Sequence, residues 1–99
     1  MATTPSYRDY ILEQLRYLDG IRCKAMMGEF LLYFDGVLFG GIYDNRLLLK
    51  RTKTNEKYGM AEAIPYEGAK PMYFMESTDD IDLLEKVIYD TYQGLSKHR

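Results

Sequence analysis

The segment Phe30–Arg51 constrains the fold more than any other part of the chain. It contains three runs rich in β-forming residues, FLLYF, VLFGGIY and RLLLKR, and the dipeptides Asp35-Gly36 and Asp44-Asn45 separate them. Both dipeptides tolerate the positive φ angles that tight two-residue hairpin turns require. The segment therefore predicts a three-stranded antiparallel meander.

Strand alternation then divides the side chains of this meander between two faces. If each turn holds two residues, Phe34 pairs with Val37 and Tyr43 pairs with Arg46. One face then carries Phe30, Leu32, Phe34, Val37, Phe39, Gly41, Tyr43, Arg46, Leu48 and Lys50, and the other carries Leu31, Tyr33, Leu38, Gly40, Ile42, Leu47, Leu49 and Arg51. Neither face is polar, so we expect both faces to be covered.

Before the meander, the pattern predicts a helix and a half-exposed strand. Thr4 is placed as an N-cap with Pro5 at the first helical position, and apolar residues recur at helical spacing until Gly20. Ile21–Met27 alternates as a strand, and Gly28 permits a bend or bulge before the meander.

After the meander, the sequence predicts a short helix, a strand and a long helix. Thr52 or Thr54 can cap a short helix that ends at Gly59, and residues 71–76 form a strand that starts with proline. Ser77 and Asp80 resemble a capping box, so the last helix is expected to begin near Thr78 and to fray at Gly94. The expected fold is one domain over residues 1–99, of the α+β class. It has two layers: an antiparallel sheet, made of the central meander and flanking strands, and N- and C-terminal helices packed on one face.

Composition excludes several classes of function. The net charge of −2 and the pI near 5.3 argue against direct nucleic-acid binding, because the one concentration of basic residues, between Arg46 and Lys57, is interspersed with acidic ones. No apolar run approaches the roughly 18 residues of a membrane-spanning helix, and the first residues lack a secretory signal, so a soluble cytoplasmic protein is expected. Cys23 and His98 make neither a zinc cluster nor a catalytic pair, and no role is assigned to Cys23. No cofactor, metal site or catalytic residue is predicted.

Four segments together resemble a known family. Lys24–Gly28, Leu32–Gly40, Asp44–Lys50 and Lys70–Phe74 are similar to the N-terminal domain of TfoX/Sxy-type proteins. The family usually has Met-Phe-Gly-Gly where this chain has Met-Met-Gly-Glu, and an aromatic residue followed by Trp where this chain has Tyr-Phe. The resemblance implies a two-layer α+β domain. Full-length members regulate natural competence and carry a further helical domain, which is not expected here. What the resemblance implies for function is a regulatory or interaction module, without catalytic residues.

Two hypotheses of different classes follow for the function. The first is a non-enzymatic module that binds an unidentified protein or a second copy of itself, as a homodimer, through the sheet face that bears Phe30, Leu32, Val37, Phe39 and Leu48. The second is a small-molecule binder or enzyme with a pocket between the sheet and the terminal helix, near Met26, Gly28, Tyr33 and Tyr73. Gly40 and Gly41 would admit either a ligand or the terminal helix close to the strand.

Overall fold

Three two-residue turns fold the first half of the sheet in the computed structural model, which describes residues 2–96. Asp35 and Gly36 have φ angles of 50° and 81°, and Asp44 and Asn45 have 54° and 56°. These values are the pattern of a type I′ turn and confirm the two predicted hairpins. A third turn of this kind, with φ angles of 51° and 85°, lies at Met27-Gly28, where the sequence predicted a bend or bulge.

The strands form one antiparallel sheet in the order β1-β2-β3-β4-β6-β5. Their bounds are β1 Ile21–Met26, β2 Glu29–Phe34, β3 Val37–Ile42, β4 Leu47–Leu49, β5 Ala61–Ala63 and β6 Met72–Phe74. The predicted pairing of Phe34 with Val37 is confirmed, and Tyr43 and Arg46 exchange backbone hydrogen bonds of 2.9 and 3.0 Å. Strand β5 is an addition, because the sequence predicted a loop there.

A β-bulge in β3 changes the predicted division of side chains between the two faces. Tyr33 pairs with Leu38 but Leu32 pairs with Gly40, so Phe39 is an extra residue in β3. Beyond this bulge the alternation is shifted by one residue. The shift corrects the predicted faces. Three residues predicted on the other face join the core beside Phe30 and Leu32, namely Ile42, Leu47 and Leu49. Conversely, Tyr43, Leu48 and Lys50 move to the opposite face, which also carries Leu31, Tyr33 and Leu38.

Two helices cover one face of the sheet, as predicted. Helix α1 runs from Pro5 to Gln14, and the Thr4 side chain caps it by accepting a hydrogen bond of 3.2 Å from the backbone N–H of Tyr7. The helix ends well before Gly20. Helix α2 runs from Ile81 to Ser96, and it begins after Asp80, whose carboxylate accepts from the backbone N–H of Leu83 at 3.1 Å. The predicted start near Thr78 is therefore three residues early.

The core lies between the helices and this face of the sheet, in agreement with the predicted α+β class. Its buried members are Ile11, Leu15, Phe30, Leu32, Phe34, Phe39, Ile42, Leu47, Leu49, Met75, Leu84, Val87 and Ile88. Between β4 and β5, the predicted short helix is a 3₁₀ helix, Glu56–Tyr58, which ends at Gly59 with a φ angle of 64°. Within residues 2–96, no helix combines the length and the apolar composition needed to cross a membrane.

Glycines mark three places where the backbone is closely packed. A Cβ at Gly40 would meet the backbone of β4 at Leu48 and Leu49, and a Cβ at Gly41 would meet the Tyr43 ring. The nearest neighbours of this pair are therefore a strand and a tyrosine, and helix α2 packs against the same strand, β3, as the sequence suggested. Gly94 is buried inside α2 against Thr52 and Thr54, so α2 does not fray there as predicted.

Replacing Gly94 with alanine is expected to lower the free energy of unfolding. At an open helix position this change stabilises by about 1 kcal/mol. Here the added Cβ would collide with the side chains of Thr52 and Thr54, so we expect a net loss of about 1 to 2 kcal/mol in urea denaturation. The control Lys86→Ala, at an exposed position of the same helix, should change stability by less than about 0.5 kcal/mol. A more stable Gly94→Ala variant would contradict the tight packing.

Candidate functional site

The sheet face opposite the helices carries an open groove, with a volume of about 830 Å³. We call this face the outer face. The groove runs between the outer side of strands β2 to β4 and the loop 65–70, which crosses to that side so that the Tyr66 ring reaches the Tyr43 ring. It is lined by Met26, Leu31, Leu38, Gly40, Tyr43, Lys50, Arg51, Thr52, Lys53, Glu56, Pro65, Tyr66, Ala69, Lys70, Pro71, Met72 and Tyr73.

The floor of the groove is apolar, and the bulge in β3 adds Tyr43 to the leucines that already face outward. Leu31 and Leu38 are half-buried there, and Tyr43 is buried with its ring over Gly41. Burial, and next to it the neighbouring Tyr66 and Glu29, raises the pKa of the Tyr43 hydroxyl, so this group stays neutral at physiological pH. The floor therefore offers apolar contact area with no negative charge on the tyrosine.

The loop 65–70 forms one wall of the groove and is attached at its start. The Arg46 guanidinium donates to the backbone oxygens of Tyr43 at 3.2 Å and Ile64 at 3.2 Å, which ties β4 to the residue before Pro65. The Tyr66 ring lies 6.3 Å from the Tyr43 ring, centroid to centroid, and 61% of Tyr66 is exposed. An exposed aromatic ring therefore stands at the edge of the apolar floor.

Lysine side chains surround the floor, and we call Lys50, Lys53 and Lys70 the basic rim. None of these lysines forms an ion pair with a carboxylate in the part of the chain that the structure describes. Arg51 also lines the groove, but it donates to Glu62 at 2.7 Å and its charge is largely compensated. The groove is therefore bordered by positive charge even though the whole chain carries a net charge of −2.

The loop that carries much of this border is fixed to the core through Asn55. The fully buried Asn55 side chain donates to the Lys50 backbone oxygen and to the Thr91 hydroxyl, both at 2.9 Å, and it accepts from the Thr52 N–H at 2.9 Å. Each polar atom of a buried amide needs such a partner, and leaving one unpaired costs about 1 to 3 kcal/mol. The loop between β4 and β5 is therefore held in one conformation against α2.

A second link between this loop and α2 involves charge. The Tyr58 hydroxyl donates to the Asp90 carboxylate at 2.6 Å, and the Lys57 ammonium lies 3.2 Å from the same carboxylate. Burial and the hydrogen bond to Asp90 raise the pKa of Tyr58 to about 12, and the hydrogen bond from Tyr58, followed by the nearby Lys57, lowers the pKa of Asp90. At neutral pH the neutral phenol and the carboxylate therefore stay paired.

The cavity includes part of the predicted pocket but lies on the other side of the sheet. Met26 and Tyr73 line it, Tyr33 shares its face without lining it, and Gly28 lies in the turn between β1 and β2. The sequence predicted a pocket between the sheet and the terminal helix. The groove of about 830 Å³ opens instead on the outer face, and a smaller cavity of about 330 Å³ lies between the sheet and α2. Phe74, Met75, Leu83 and Val87 line this smaller cavity, and none of the four predicted residues does.

The five residues predicted as an interaction surface do not form an exposed face. Phe30, Leu32 and Phe39 belong to the core beneath the helices, and Val37 is half-buried at the start of β3. Leu48 is fully buried on the opposite face of the sheet. The prediction of an open contact surface at these five residues is therefore corrected, because the helices already cover the face on which most of them lie.

Sequence reasoning missed the groove's wall and basic rim. The concentration of basic residues between Arg46 and Lys57 was visible, but only the fold brings Lys50 and Lys53 close to Lys70 around one cavity. Cys23 carries no sign of reactivity, because burial raises the pKa of its thiol and thiolate is the reactive form. Among residues 2–96, no group of three or more His, Cys, Asp or Glu residues could hold a metal ion.

Comparison with known proteins identifies the family. A family model described as the TfoX N-terminal domain matches residues 13–93, which include all six strands and most of α2. The chain belongs to the TfoX N-terminal domain family. The resemblance predicted from the sequence is thus confirmed. An uncharacterised 12.7 kDa protein in the trpE 5′ region of Spirochaeta aurantia is 38% identical over 72 residues, which are 71% of this chain and 63% of the relative. The match thus spans less than two thirds of that relative.

The turn between β1 and β2 presents an exposed methionine next to the groove. Met27 has a φ angle of 51° and 97% of it is exposed, while the preceding Met26 lines the groove. The turn is firmly attached, since the Thr3 N–H donates to the Gly28 oxygen at 3.1 Å and the Thr3 hydroxyl donates to the Glu29 carboxylate at 2.6 Å. A long apolar side chain at positive φ is unfavourable both sterically and by exposure. Folding alone does not account for Met27.

Replacing Met27 with asparagine is expected to stabilise the chain. Asparagine favours positive φ at this turn position, so we expect the free energy of unfolding in urea to rise by about 0.5 to 1 kcal/mol. Met27→Val is the matched control, because a β-branched residue at positive φ should lower stability instead. Loss of stability in Met27→Asn would show that the methionine side chain supports the fold.

Proposed function

We propose that the chain is a non-enzymatic regulatory module and that the groove on the outer face is the surface through which it binds another protein. Exposed apolar side chains along and beside the groove carry this proposal. Of the large apolar residues that are exposed, Met26, Met27, Ile64 and Tyr66 lie along or beside the groove. Clustered exposed apolar residues with a polar border are typical of protein contact surfaces.

The composition of the groove supports binding rather than catalysis. Its centre is aliphatic and aromatic and its border is cationic, an arrangement that resembles the core and rim of a protein interface. Family membership agrees with this role insofar as the TfoX/Sxy resemblance implies a regulatory or interaction module. The partner is an unidentified protein, with a second copy of the chain, as in a homodimer, among the possibilities. A reducing cytoplasmic setting is part of the proposal and agrees with the single unpaired Cys23.

Exchange of one exposed tyrosine at the groove should remove partner binding. We expect purified Tyr66→Ser to lose the proteins that the wild-type domain retains from an extract of its source organism, because the aromatic contact at the groove is gone. Tyr89→Ser is the matched control, since Tyr89 is a similarly exposed tyrosine on α2. Light scattering of the same samples measures self-association. Equal retention by both variants would refute the groove as the contact surface.

A small-molecule ligand is the second candidate, and the size of the cavity favours it. The volume of about 830 Å³ lies within the usual range for ligand sites, which is about 300 to 1,000 Å³. If this candidate holds, a compound from a metabolite panel should raise the melting temperature of the wild type and of Tyr89→Ser but not of Tyr66→Ser. If no compound raises the melting temperature in a way that depends on Tyr66, the small-molecule candidate is not supported.

A further inference from the structure

We infer that the occupant of the groove is an acidic segment of another protein, bound in an extended conformation with apolar side chains on the floor. This inference rests on the proposed function, which makes the groove a protein contact surface. It adds the chemistry of the partner. Two observations carry it: the charge of the basic rim and the apolar character of the floor that the rim surrounds.

Charge is distributed unequally between the two layers of the domain. The outer face carries the basic rim, and Arg22 and Lys24 on β1 are exposed on the same face, because they pair with Tyr33 and Leu31. The opposite layer carries the acidic start of α2, with Asp80 and Asp82 exposed. A binding surface is complementary in charge to its partner, so the outer face selects an acidic one.

One acidic residue, Glu56, lines the groove, but it does not cancel the positive charge of the basic rim. Glu56 is exposed at the start of the 3₁₀ helix and forms no ion pair with the basic rim in the described part of the chain. Arg51 is already paired with Glu62. The basic rim therefore keeps its capacity to pair with carboxylates that come from outside the chain.

The apolar floor distinguishes a peptide from other anions. Leu31, Leu38 and Met26 offer aliphatic surface, which a simple anion or a phosphate backbone cannot use. Binding to a nucleic acid normally relies on an extended track of positive charge that neutralises many phosphates. A peptide that alternates acidic and apolar residues satisfies both parts of the groove, since successive side chains of an extended segment point to opposite sides.

A second copy of the chain is a poor occupant when it binds in the symmetric way. In a two-fold dimer each surface meets its own copy. The basic rim of one groove would then face the basic rim of the other, and like charges in contact oppose binding. The exposed Arg22 and Lys24 likewise oppose pairing of β1 with itself, as charged residues on edge strands commonly do.

The exposed methionines fit the same occupant. Met26 lines the groove, and Met27 extends beyond it at the end of the β1–β2 hairpin. Methionine side chains are flexible and polarisable and adapt to different apolar partners. Met27 provides an apolar contact beyond the groove, where a segment longer than the groove would continue.

Selection from a random peptide library tests the inference without assuming the ligand. A phage library of peptides of about 12 residues is suitable, because an extended segment of that length spans about 40 Å and exceeds the longest dimension of the domain, 32 Å. The library is panned on the wild-type domain, and the enriched peptides are then synthesised with a fluorescent label. Their affinities are measured by anisotropy for the wild type and for two charge-reversal variants.

The two variants reverse charge on opposite layers of the domain. Lys53→Glu/Lys70→Glu reverses exposed members of the basic rim, and Arg16→Glu/Lys86→Glu reverses exposed residues of the helical layer. Both alter the net charge equally. Because Arg16→Glu also removes the ion pair of Arg16 with Glu13, the stability of both variants is first measured in urea. We expect enriched peptides that combine several Asp or Glu with apolar residues, an affinity at least about tenfold lower for the rim variant, and a nearly unchanged affinity for the control variant. Affinity for the wild type should also fall as salt rises.

Other outcomes separate failure of the inference from failure of the proposed function. Neutral or basic peptides that bind the wild type but not Tyr66→Ser would overturn the acidic occupant and leave the groove as a contact surface. The absence of any peptide that depends on Tyr66 would overturn both. Competition with a single-stranded oligothymidylate tests nucleic acid as the occupant. If the oligonucleotide displaces the labelled peptide at a lower concentration than the unlabelled peptide does, the groove is a nucleic-acid site and the inference is overturned.

Discussion

The extra residue in β3 is the constraint on which the rest of the structure depends. Because Phe39 is inserted opposite the Leu32–Tyr33 pair, the strand keeps Phe39 in the core and still returns Ile42 to the same side. Without the shift, Ile42, Leu47 and Leu49 would face away from the helices. The bulge thus completes the core under α1 and α2, and the same shift sends Tyr43 to the outer face as part of the groove floor.

The groove is formed in advance rather than by a loose loop. Asn55 connects the loop that carries Lys53 to the Thr91 hydroxyl, and the Thr91 hydroxyl in turn donates to the Val87 backbone oxygen at 2.8 Å. Arg46 holds the beginning of the opposite wall at Ile64. Both sides of the groove are therefore tied to the sheet or to α2. A surface that is already ordered loses less conformational entropy on binding than one that must fold around its partner.

Much of the fold could be predicted from the sequence, because its strongest signals are local. Asp35-Gly36 and Asp44-Asn45 place two turns, and Thr4 with Pro5 places the first helix, without reference to the rest of the chain. The bulge was harder to predict, because a glycine pair inside a strand indicates an irregularity but not its direction. The site was missed for a tertiary reason. The loop 65–70 has no strong pattern of its own, and only its position against the outer face turns an apolar sheet surface into a groove.

The outer face also shows how an apolar sheet surface can remain open. Leu48 is completely shielded, whereas Leu31 and Leu38 are only partly covered. The centre of the sheet at β4 is thus covered, and the neighbouring strands β2 and β3 stay accessible. The basic rim and the exposed Arg22 and Lys24 surround this accessible area with charge, which opposes its nonspecific association with a like surface. The charge that opposes contact with a like surface is therefore the same charge that would pair with the carboxylates of the proposed acidic partner.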